Sequence, residues 1–291
     1  MIRIQDLVFK YEKQLPLILD IPDLIIKEGE YTALIGPNGC GKTTLIRHFN
    51  ALLLPSAGGV WIDDLNTRDK GNLAEIRRRV GMIFQNPDNQ IVGMSVEEDV
   101  AFGPGNLGLP PAEIRCRVKQ ALETVGLTGY ETHPPYTLSG GQKQLLALAG
   151  ILAMNPRFII LDEPTSSLDP AAKKNVITLL QNLKKKGIGI VHITHSMDEA
   201  SLADRVLVMD HGELIADGRP EAILSRAEWL RSLGLEPTQI TELMWQLHQR
   251  GETVATNIIS MDAAVDEIII LMNELRASNN HGRAGKAVRY V

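Results

Sequence analysis

A run of residues near the N-terminus combines glycines, a lysine and hydroxyl side chains at a spacing suited to phosphate. The run is Gly36, Pro37, Asn38, Gly39, Cys40, Gly41, Lys42, Thr43 and Thr44. Four of these residues satisfy GxxxxGK[ST], a pattern in which backbone amides cradle phosphate oxygens, the lysine reaches the terminal phosphates and the hydroxyl meets Mg²⁺. An apolar run precedes the loop and a helical pattern follows it, so the first N–H groups of that helix also point at the anion. The alternative, a glycine-rich turn without a ligand, does not explain the agreement of strand, loop and helix, and we predict a nucleoside triphosphate site.

Two adjacent carboxylates follow a run of apolar residues farther along the chain. Residues 158–161 are apolar, which predicts a buried strand, and Asp162 and Glu163 come directly after them. Asp162 can hold Mg²⁺ through water, and Glu163 can polarise the hydrolytic water as a general base. An acidic turn that caps a strand would be favoured in isolation. Beside a phosphate loop, a catalytic pair is favoured.

Gln85 and His195 each stand at the end of another predicted strand. The amide oxygen of Gln85 can ligate Mg²⁺ and orient the attacking water without adding charge. His195 lies on the edge where open α/β sheets bind ligands, so it can reach a γ-phosphate. His192, inside the same strand, is interpreted as structural.

A second helix start carries small and polar residues, Ser139, Gly140, Gly141 and Gln142. A hydroxyl and bare amides at this place make another anion-binding helix end. The simplest geometry assigns the two helix ends to two different sites, each completed by a second copy of the protein. Tyr11 can stack on an adenine face, but its spacing equally fits an aromatic residue at a strand end.

Composition sets limits on the class of protein. The chain has 291 residues, a net charge of −5 and a hydrophobic share of 44%, which predicts one large domain with an appendage and argues against nucleic acid as the main partner. No run approaches the roughly 18 apolar residues of a spanning helix, so we expect a cytosolic chain unless a partner holds it at a membrane.

Cys40 and Cys116 suggest a reducing compartment. A helix dipole and Lys42 predict a lowered pKa for Cys40, although a small residue tolerated in the loop is the simpler role.

Periodicity predicts an α/β fold with an N-terminal antiparallel β subdomain over residues 2–32 and a helical insert at about residues 87–140. We expect residues 1–225 to form the main domain, residues 226–277 a helical C-terminal extension that serves dimerisation, and residues 278–291 a disordered basic tail. The extension has two apolar stripes that predict surfaces packed against the main domain or a second subunit. The stripes are Ile240, Leu243, Met244 and Leu247, and Val265, Ile268, Ile269 and Met272.

Residues 1–225 resemble the nucleotide-binding domain of ATP-binding cassette (ABC) proteins. The resemblance rests on six features in this order: GPNGCGKTT, Gln85, LSGGQ, FIILDE, SSLD and His195. The resemblance implies the ABC ATPase fold, an α/β fold with a mostly parallel core sheet, and ATP and Mg²⁺ as ligands. It also implies a role for each site residue. Tyr11 would stack on adenine, Lys42 and the loop amides would bind phosphate, and Thr43, Gln85 and Asp162 would bind Mg²⁺. Glu163 would be the general base, and His195 would sense the γ-phosphate.

The remaining roles concern a dimer. The opposite subunit's site would be completed by Ser139, Gly140, Gly141 and Gln142, and Asp169 would lie at the dimer contact.

A finer resemblance is to the ATPase subunits of energy-coupling factor (ECF) transporters, which import vitamins or transition-metal ions. It rests on the segments VGMIFQNPDNQ, VEEDVAFGP and LSGGQKQ. This implies a second ATPase subunit in a homo- or heterodimer, a transmembrane coupling subunit, a substrate-binding membrane protein, and a peripheral place on the cytoplasmic face of the cell membrane. Glu97, Glu98 and Asp99 are candidate acceptors for arginines of the coupling subunit, or simply an acidic first turn that suits the helix dipole. Two positions depart from the family's pattern: Leu145 replaces the usual arginine, and Cys40 a commoner serine.

Two other functions compete with transport. A soluble ABC ATPase acting on nucleic acid or translation usually has two cassettes or a long coiled-coil insertion, whereas this chain has one cassette, no heptads and a pI of about 5.8. An inactive structural cassette would lack some of the catalytic side chains, but Lys42, Glu163 and His195 are all present.

Overall fold

The computed structural model describes residues 1–12 and 14–284, with side chains described as far as residue 273. The strands are β1 (Ile2–Phe9), β2 (Leu19–Ile26), β3 (Tyr31–Ile35), β4 (Ala57–Ile62), β5 (Leu65–Asn66), β6 (Val80–Ile83), β7 (Phe158–Asp162), β8 (Gly189–Ile193), β9 (Arg205–Asp210) and β10 (Glu213–Gly218). The α-helices are α1 (Lys42–Phe49), α2 (Leu73–Arg79), α3 (Val96–Asn106), α4 (Pro111–Val125), α5 (Gly140–Leu152), α6 (Pro170–Lys185), α7 (Met197–Ala200), α8 (Pro220–Leu224), α9 (Ala227–Ser232), α10 (Gln239–Gln249) and α11 (Met261–Ala284).

The core sheet has the strand order β10-β9-β3-β8-β7-β6. The pairs β3–β8, β3–β9, β6–β7 and β7–β8 are parallel. Every residue of β3, β7 and β8 is buried, as expected for parallel strands covered on both faces. Because parallel strands end at one edge, the residues that follow β3, β6, β7 and β8 are brought to the same side of the sheet. The prediction of a mostly parallel core is confirmed.

The antiparallel sheet has the order β2-β1-β4-β5. Burial alternates along β1 and β2, the pattern of strands with one face on a core and one in water. This confirms the antiparallel subdomain predicted for residues 2–32, to which β4 and β5 add a further part. Ile4, Phe49 and Phe158 belong to one buried cluster, so the two sheets and α1 share a hydrophobic core.

The helices α3, α4 and α5 pack against one another, and α3 and α4 lie within the helical insert predicted for about residues 87–140. Ser95 caps α3 and Ser139 caps α5, each accepting a hydrogen bond from a backbone N–H in the first turn. Gly126 ends α4 with a φ of 76°, a left-handed conformation that glycine adopts without strain. The predicted insert ends near residue 140, where α5 begins. α5 itself also packs against β6 and α6.

Clustering of contacts divides the chain into two units. The first comprises Met1–His195 and Ala203–Asp217, and the second Ser196–Leu202 and the chain from Gly218 onward. The predicted boundary at residue 225 therefore lies a short way inside the second unit. No helix within the described part of the chain is both long and apolar enough to cross a membrane.

The second unit has a small hydrophobic cluster of its own. Met244, Val254, Ala264 and Leu271 are buried there, with Ile240 and Leu247 packed against them. The stripe predicted on α10 is partly right, since Leu243 is exposed. On the stripe predicted for α11, Val265, Ile269 and Met272 are all about half exposed. Burial of this stripe against a second subunit stays a prediction. α11 runs past residue 278, where the tail was predicted to start, and residues 285–291 lie outside the described residues.

Candidate functional site

The predicted phosphate loop connects β3 to α1. A Cβ on Gly36 would lie 2.2 Å from the carbonyl oxygen of Met209, and Gly41 has a φ of 108°. Both positions therefore require glycine. Gly41 is the residue before α1, and no side chain caps that helix. The first N–H groups of α1 are thus available to an anion, as the sequence pattern predicted.

Lys42 is folded into this loop. Its Nζ donates hydrogen bonds to the carbonyl oxygens of Gly36, at 2.7 Å, and Pro37, at 2.9 Å. The side chain is only 6% exposed. The ammonium group thus lies within the loop that would surround a phosphate, with two carbonyl acceptors that phosphate oxygens can replace.

Thr43 and Asp162 form the part of the site suited to a cation. Thr43 Oγ1 donates to Asp162 Oδ2 at 2.8 Å, although the two residues come from α1 and β7. Burial raises the pKa of Asp162, while the bond from Thr43 acts in the opposite direction. A hydroxyl and a carboxylate beside a phosphate loop are the oxygen ligands that Mg²⁺ prefers, so the residues present fit this ion.

Glu163 lies at the centre of a cluster of polar side chains that come from the ends of three strands. Its Oε1 is 2.8 Å from His195 Nε2, and its Oε2 accepts a hydrogen bond from Gln85 Nε2 at 3.2 Å. Asp162 is paired with Ile193 across β7 and β8, which explains why residues that follow the two strands meet. Glu163 has a φ of 50°, an uncommon conformation for this residue that is often found at active sites.

Tyr11 lies beside the phosphate loop. Its hydroxyl is 3.2 Å from Thr44 Oγ1, and its ring is 51% exposed. Phe9 supports it edge to face with ring centroids 5.0 Å apart, and His48 packs on Phe9 at 4.7 Å. Burial lowers the pKa of His48 to about 4, so its ring is neutral at pH 7. Phe9 and His48 are not among the residues predicted from the sequence; an aromatic residue two positions before Tyr11 was the available signal.

Ser139 and Gln142 form a capping box at the start of α5. The Ser139 hydroxyl accepts from the Gln142 N–H, and the Gln142 side chain accepts from the Ser139 N–H. Among the described residues, no hydrogen bond joins Ser139, Gly140, Gly141 or Gln142 to the phosphate loop. Asp169 caps α6 by accepting from the N–H groups of Ala171 and Ala172. Within one chain, therefore, the loop and the α5 start are not joined as one site.

Cys40 overturns one expectation. The sequence predicted a lowered pKa, but burial raises the pKa of this thiol and outweighs the opposing effect of Lys42. The side chain is only 6% exposed, so the thiolate loses hydration that the nearby charge does not replace.

We expect N-ethylmaleimide at neutral pH to modify exposed Cys116 at least about tenfold faster than Cys40, because the thiolate is the reactive form. Mass spectrometry of the intact protein measures both rates, with Cys40→Ser and Cys116→Ser variants isolating each thiol. Equal rates would contradict this interpretation of Cys40.

The acidic turn at the start of α3 is only partly free for a partner. Asp99 is buried, and its Oδ1 accepts from the N–H groups of Val92, at 2.7 Å, and Gly93, at 2.9 Å. This carboxylate holds the preceding loop, so it is not an available acceptor for a partner's arginine. Glu98 accepts from the Met94 N–H at 3.2 Å and is exposed, as is Glu97.

Comparison with known proteins gives matches over most of the chain. A family model described as ABC transporter matches residues 19–166. The cobalt import ATP-binding protein CbiO of Syntrophus aciditrophicus is 55% identical over 92% of this chain and 96% of its own length. The energy-coupling factor transporter ATP-binding protein EcfA1 of Clostridium perfringens is 49% identical over 92% of this chain and 97% of its own length.

Solved structures agree with these relatives. The structure of cbiO1 from Clostridium perfringens, part of the ABC transporter complex cbiONQ, is 38% identical with a TM-score of 0.73, covering 84% of this chain and 98% of that one. The dimeric ATP-binding cassette MJ0796, in a post-hydrolysis state bound to ADP and Pi, is 30% identical with a TM-score of 0.68, covering 76% and 99%.

Proposed function

The chain belongs to the ABC transporter family, and from this premise we propose that it is the ATP-hydrolysing subunit of an ECF-type importer that energises uptake of a vitamin or a transition-metal ion through membrane partners. The relatives named for cobalt import and for energy coupling support this class of transporter. They support it over most of the chain's length, the C-terminal extension included.

The observation that carries the proposal is the cluster of Gln85, Glu163 and His195 beside the Thr43–Asp162 pair. In this assignment Glu163 takes a proton from the attacking water, and His195 orients the base and contacts the γ-phosphate. Lys42 and the loop amides hold the phosphates, and Tyr11 stacks on adenine. Thr43, Gln85 and Asp162 hold Mg²⁺, which would neutralise charge on the phosphate oxygens.

A second subunit completes each site in this proposal. Ser139, Gly140, Gly141 and Gln142 of one chain would close over the ATP held by the phosphate loop of the other. The exposed apolar residues Val265, Ile269 and Met272 on α11 suit a role of the extension in dimerisation, since monomers rarely leave such stripes uncovered. Both a homodimer of this chain and a heterodimer with a related ATPase subunit would place the two segments in this way.

A groove on the helical insert suits the membrane partner. It has a volume of about 550 Å³ and a floor that includes Ile114, Val118 and Leu122. Four carboxylates and two cations lie around it: Glu97, Glu98, Glu123, Glu131, Arg115 and Lys119. An apolar floor with an acidic majority at the rim favours a helix that presents apolar side chains and arginines. Attachment through such a helix would place the chain at the cytoplasmic face of the membrane.

We expect Glu97→Lys combined with Glu98→Lys to weaken co-purification with the membrane subunits by at least about tenfold, because two attractive charges at the rim become repulsive. ATP binding by the purified chain should stay within about twofold, since neither residue touches the phosphate loop. Affinity capture from detergent-solubilised membranes measures assembly, and mass spectrometry identifies the integral partners.

The matched control is Glu113→Lys, a charge reversal on α4 outside the groove lining, which should leave assembly unchanged. Asp99 is left intact because its carboxylate holds the loop at Val92 and Gly93. Assembly that is unaffected by the double reversal would contradict the assigned surface, and loss of ATP binding together with assembly would indicate misfolding.

A further inference from the structure

An ion pair joins the segment after Gln85 to the start of α5. Asp88 lies in a short 3₁₀ helix, Pro87–Asn89, and Lys143 is in the first turn of α5, directly after Gln142. Lys143 Nζ is 2.7 Å from Asp88 Oδ1. The two residues belong to the NPDNQ and GQKQ segments, and the proposed function gives neither of them a role.

The position of Lys143 needs an explanation. A cation in the first turn of a helix is opposed by the helix dipole. The side chains of Lys143 and Asp88 are 20% and 60% exposed, and ion pairs with that much exposure contribute little to stability. A large contribution to stability is therefore not expected, and the position of the pair between two functional segments is the feature to explain.

The Gln85 segment is also held at its base. Gln90 Oε1 accepts from the Phe84 N–H at 2.9 Å, and Gln90 Nε2 donates to the Met82 carbonyl at 3.1 Å. This side chain therefore occupies the free edge of β6 in the way a neighbouring strand would. Gln90 therefore restrains the base of the segment that carries Gln85 and Asp88.

A chain of contacts thus runs from the catalytic cluster to α5. Glu163 contacts Gln85, and Gln85 is carried on the segment that ends in the Asp88–Lys143 pair. Beside the pair lies a cavity of about 310 Å³ whose lining includes Gln85, Gly140 and Ser166. The ion pair is a direct side-chain link across that side of the cavity.

We propose that the Asp88–Lys143 pair is a positioning contact that sets Ser139 and Gly140 of one subunit relative to Gln85 of the same subunit. This inference rests on the proposed function, in which the α5 start serves the partner's ATP and Gln85 serves the chain's own. The pair therefore couples the two ATP sites of a dimer through each protomer.

The test measures ATP hydrolysis against ATP concentration for purified full-length variants. Asp88→Asn and Lys143→Met should each lower kcat about fivefold or more and reduce cooperativity in ATP, while ATP binding changes by less than about twofold. Lys143→Arg should keep kcat near wild type. The swap Asp88→Lys with Lys143→Asp should recover most of the lost kcat, and it suits the helix because an acid in the first turn is favourable.

Glu113→Gln is the matched control, since Glu113 forms a similar exposed pair with Arg117 at 2.6 Å away from the catalytic cluster. Wild-type kcat in Asp88→Asn, or a swap no more active than the single variants, would overturn the proposal. A Lys42→Ala variant separates the two levels: if it hydrolyses ATP as fast as wild type, the proposed function itself fails. If it is inactive while Asp88→Asn is unaffected, only the coupling role fails.

Discussion

Replacing Glu163 by glutamine is expected to reduce ATP hydrolysis by about 10²–10⁴-fold, the usual contribution of a positioned general base. Glutamine has the same shape and can still hydrogen-bond His195, which lies 2.8 Å from the carboxylate. It cannot accept a proton from water. ATP should therefore bind normally and persist, and the ATP-bound dimer should accumulate.

Two measurements check this result. Phosphate release gives the rate of hydrolysis, and size-exclusion chromatography with Mg²⁺ and ATP gives the amount of dimer. Glu113→Gln is the matched control for the same chemical change on the surface of α4. Unchanged turnover in Glu163→Gln would remove the assignment of Glu163 as the base, and loss of ATP binding would mean that its carboxylate supports the nucleotide pocket instead.

The phosphate loop was predictable because the residues that form it are adjacent in the sequence. Gly36, Gly41 and Lys42 occupy fixed positions between a strand and a helix, so local geometry dictates their arrangement. The meeting of Gln85, Glu163 and His195 was predictable to a lesser degree. It follows from parallel strands that end at one edge, but the contacts depend on the register of β7 and β8, which no local pattern specifies.

Cys40 and Asp99 show why other expectations were wrong. The dipole and charge near Cys40 are visible in the sequence, whereas its desolvation depends on side chains packed around it from distant segments. The helical pattern predicts an exposed acid at Asp99, in the first turn of α3. The preceding loop folds back so that the N–H groups of Val92 and Gly93 donate to its carboxylate. Helical periodicity does not predict the path of this loop.

The sequence predicted the apolar stripe on α11 but not what covers it. Residues at helical spacing predict an apolar face but do not say which part of that face is covered. In the second unit Ala264 and Leu271 are buried, whereas Val265, Ile269 and Met272 are exposed. A small residue such as Ala264 allows close approach of another segment, so the packed face lies beside the more hydrophobic one.

Replacing Ser139 by aspartate is expected to lower ATP hydrolysis by about 10²-fold. In the proposed dimer this residue faces the partner's triphosphate, and two like charges about 4 Å apart repel by roughly 4 kcal/mol at an effective dielectric constant of 20, the upper bound on the effect. Aspartate caps a helix as well as serine does, so the capping bond to the Gln142 N–H should persist. Phosphate release measures the loss, and ATP binding to the monomer should be unaffected.

Ser139→Asn is the matched neutral control, because asparagine also caps well and adds no charge. Its hydrolysis should stay within about tenfold of wild type, since only the charge distinguishes the two variants. Equal losses in the aspartate and asparagine variants would point to the serine hydroxyl instead of electrostatic repulsion.

Mixing the Ser139→Asp variant with Lys42→Ala tests whether each site is shared between subunits. Neither variant alone should hydrolyse ATP appreciably. In a mixed dimer, one site receives both defects, whereas the other combines an intact phosphate loop with an intact α5 start. Random pairing leaves roughly a quarter of all sites intact, so the mixture should be more active than the sum of the two separate preparations. A mixture no more active than that sum would show that Lys42 and Ser139 do not act across an interface between two copies of this chain.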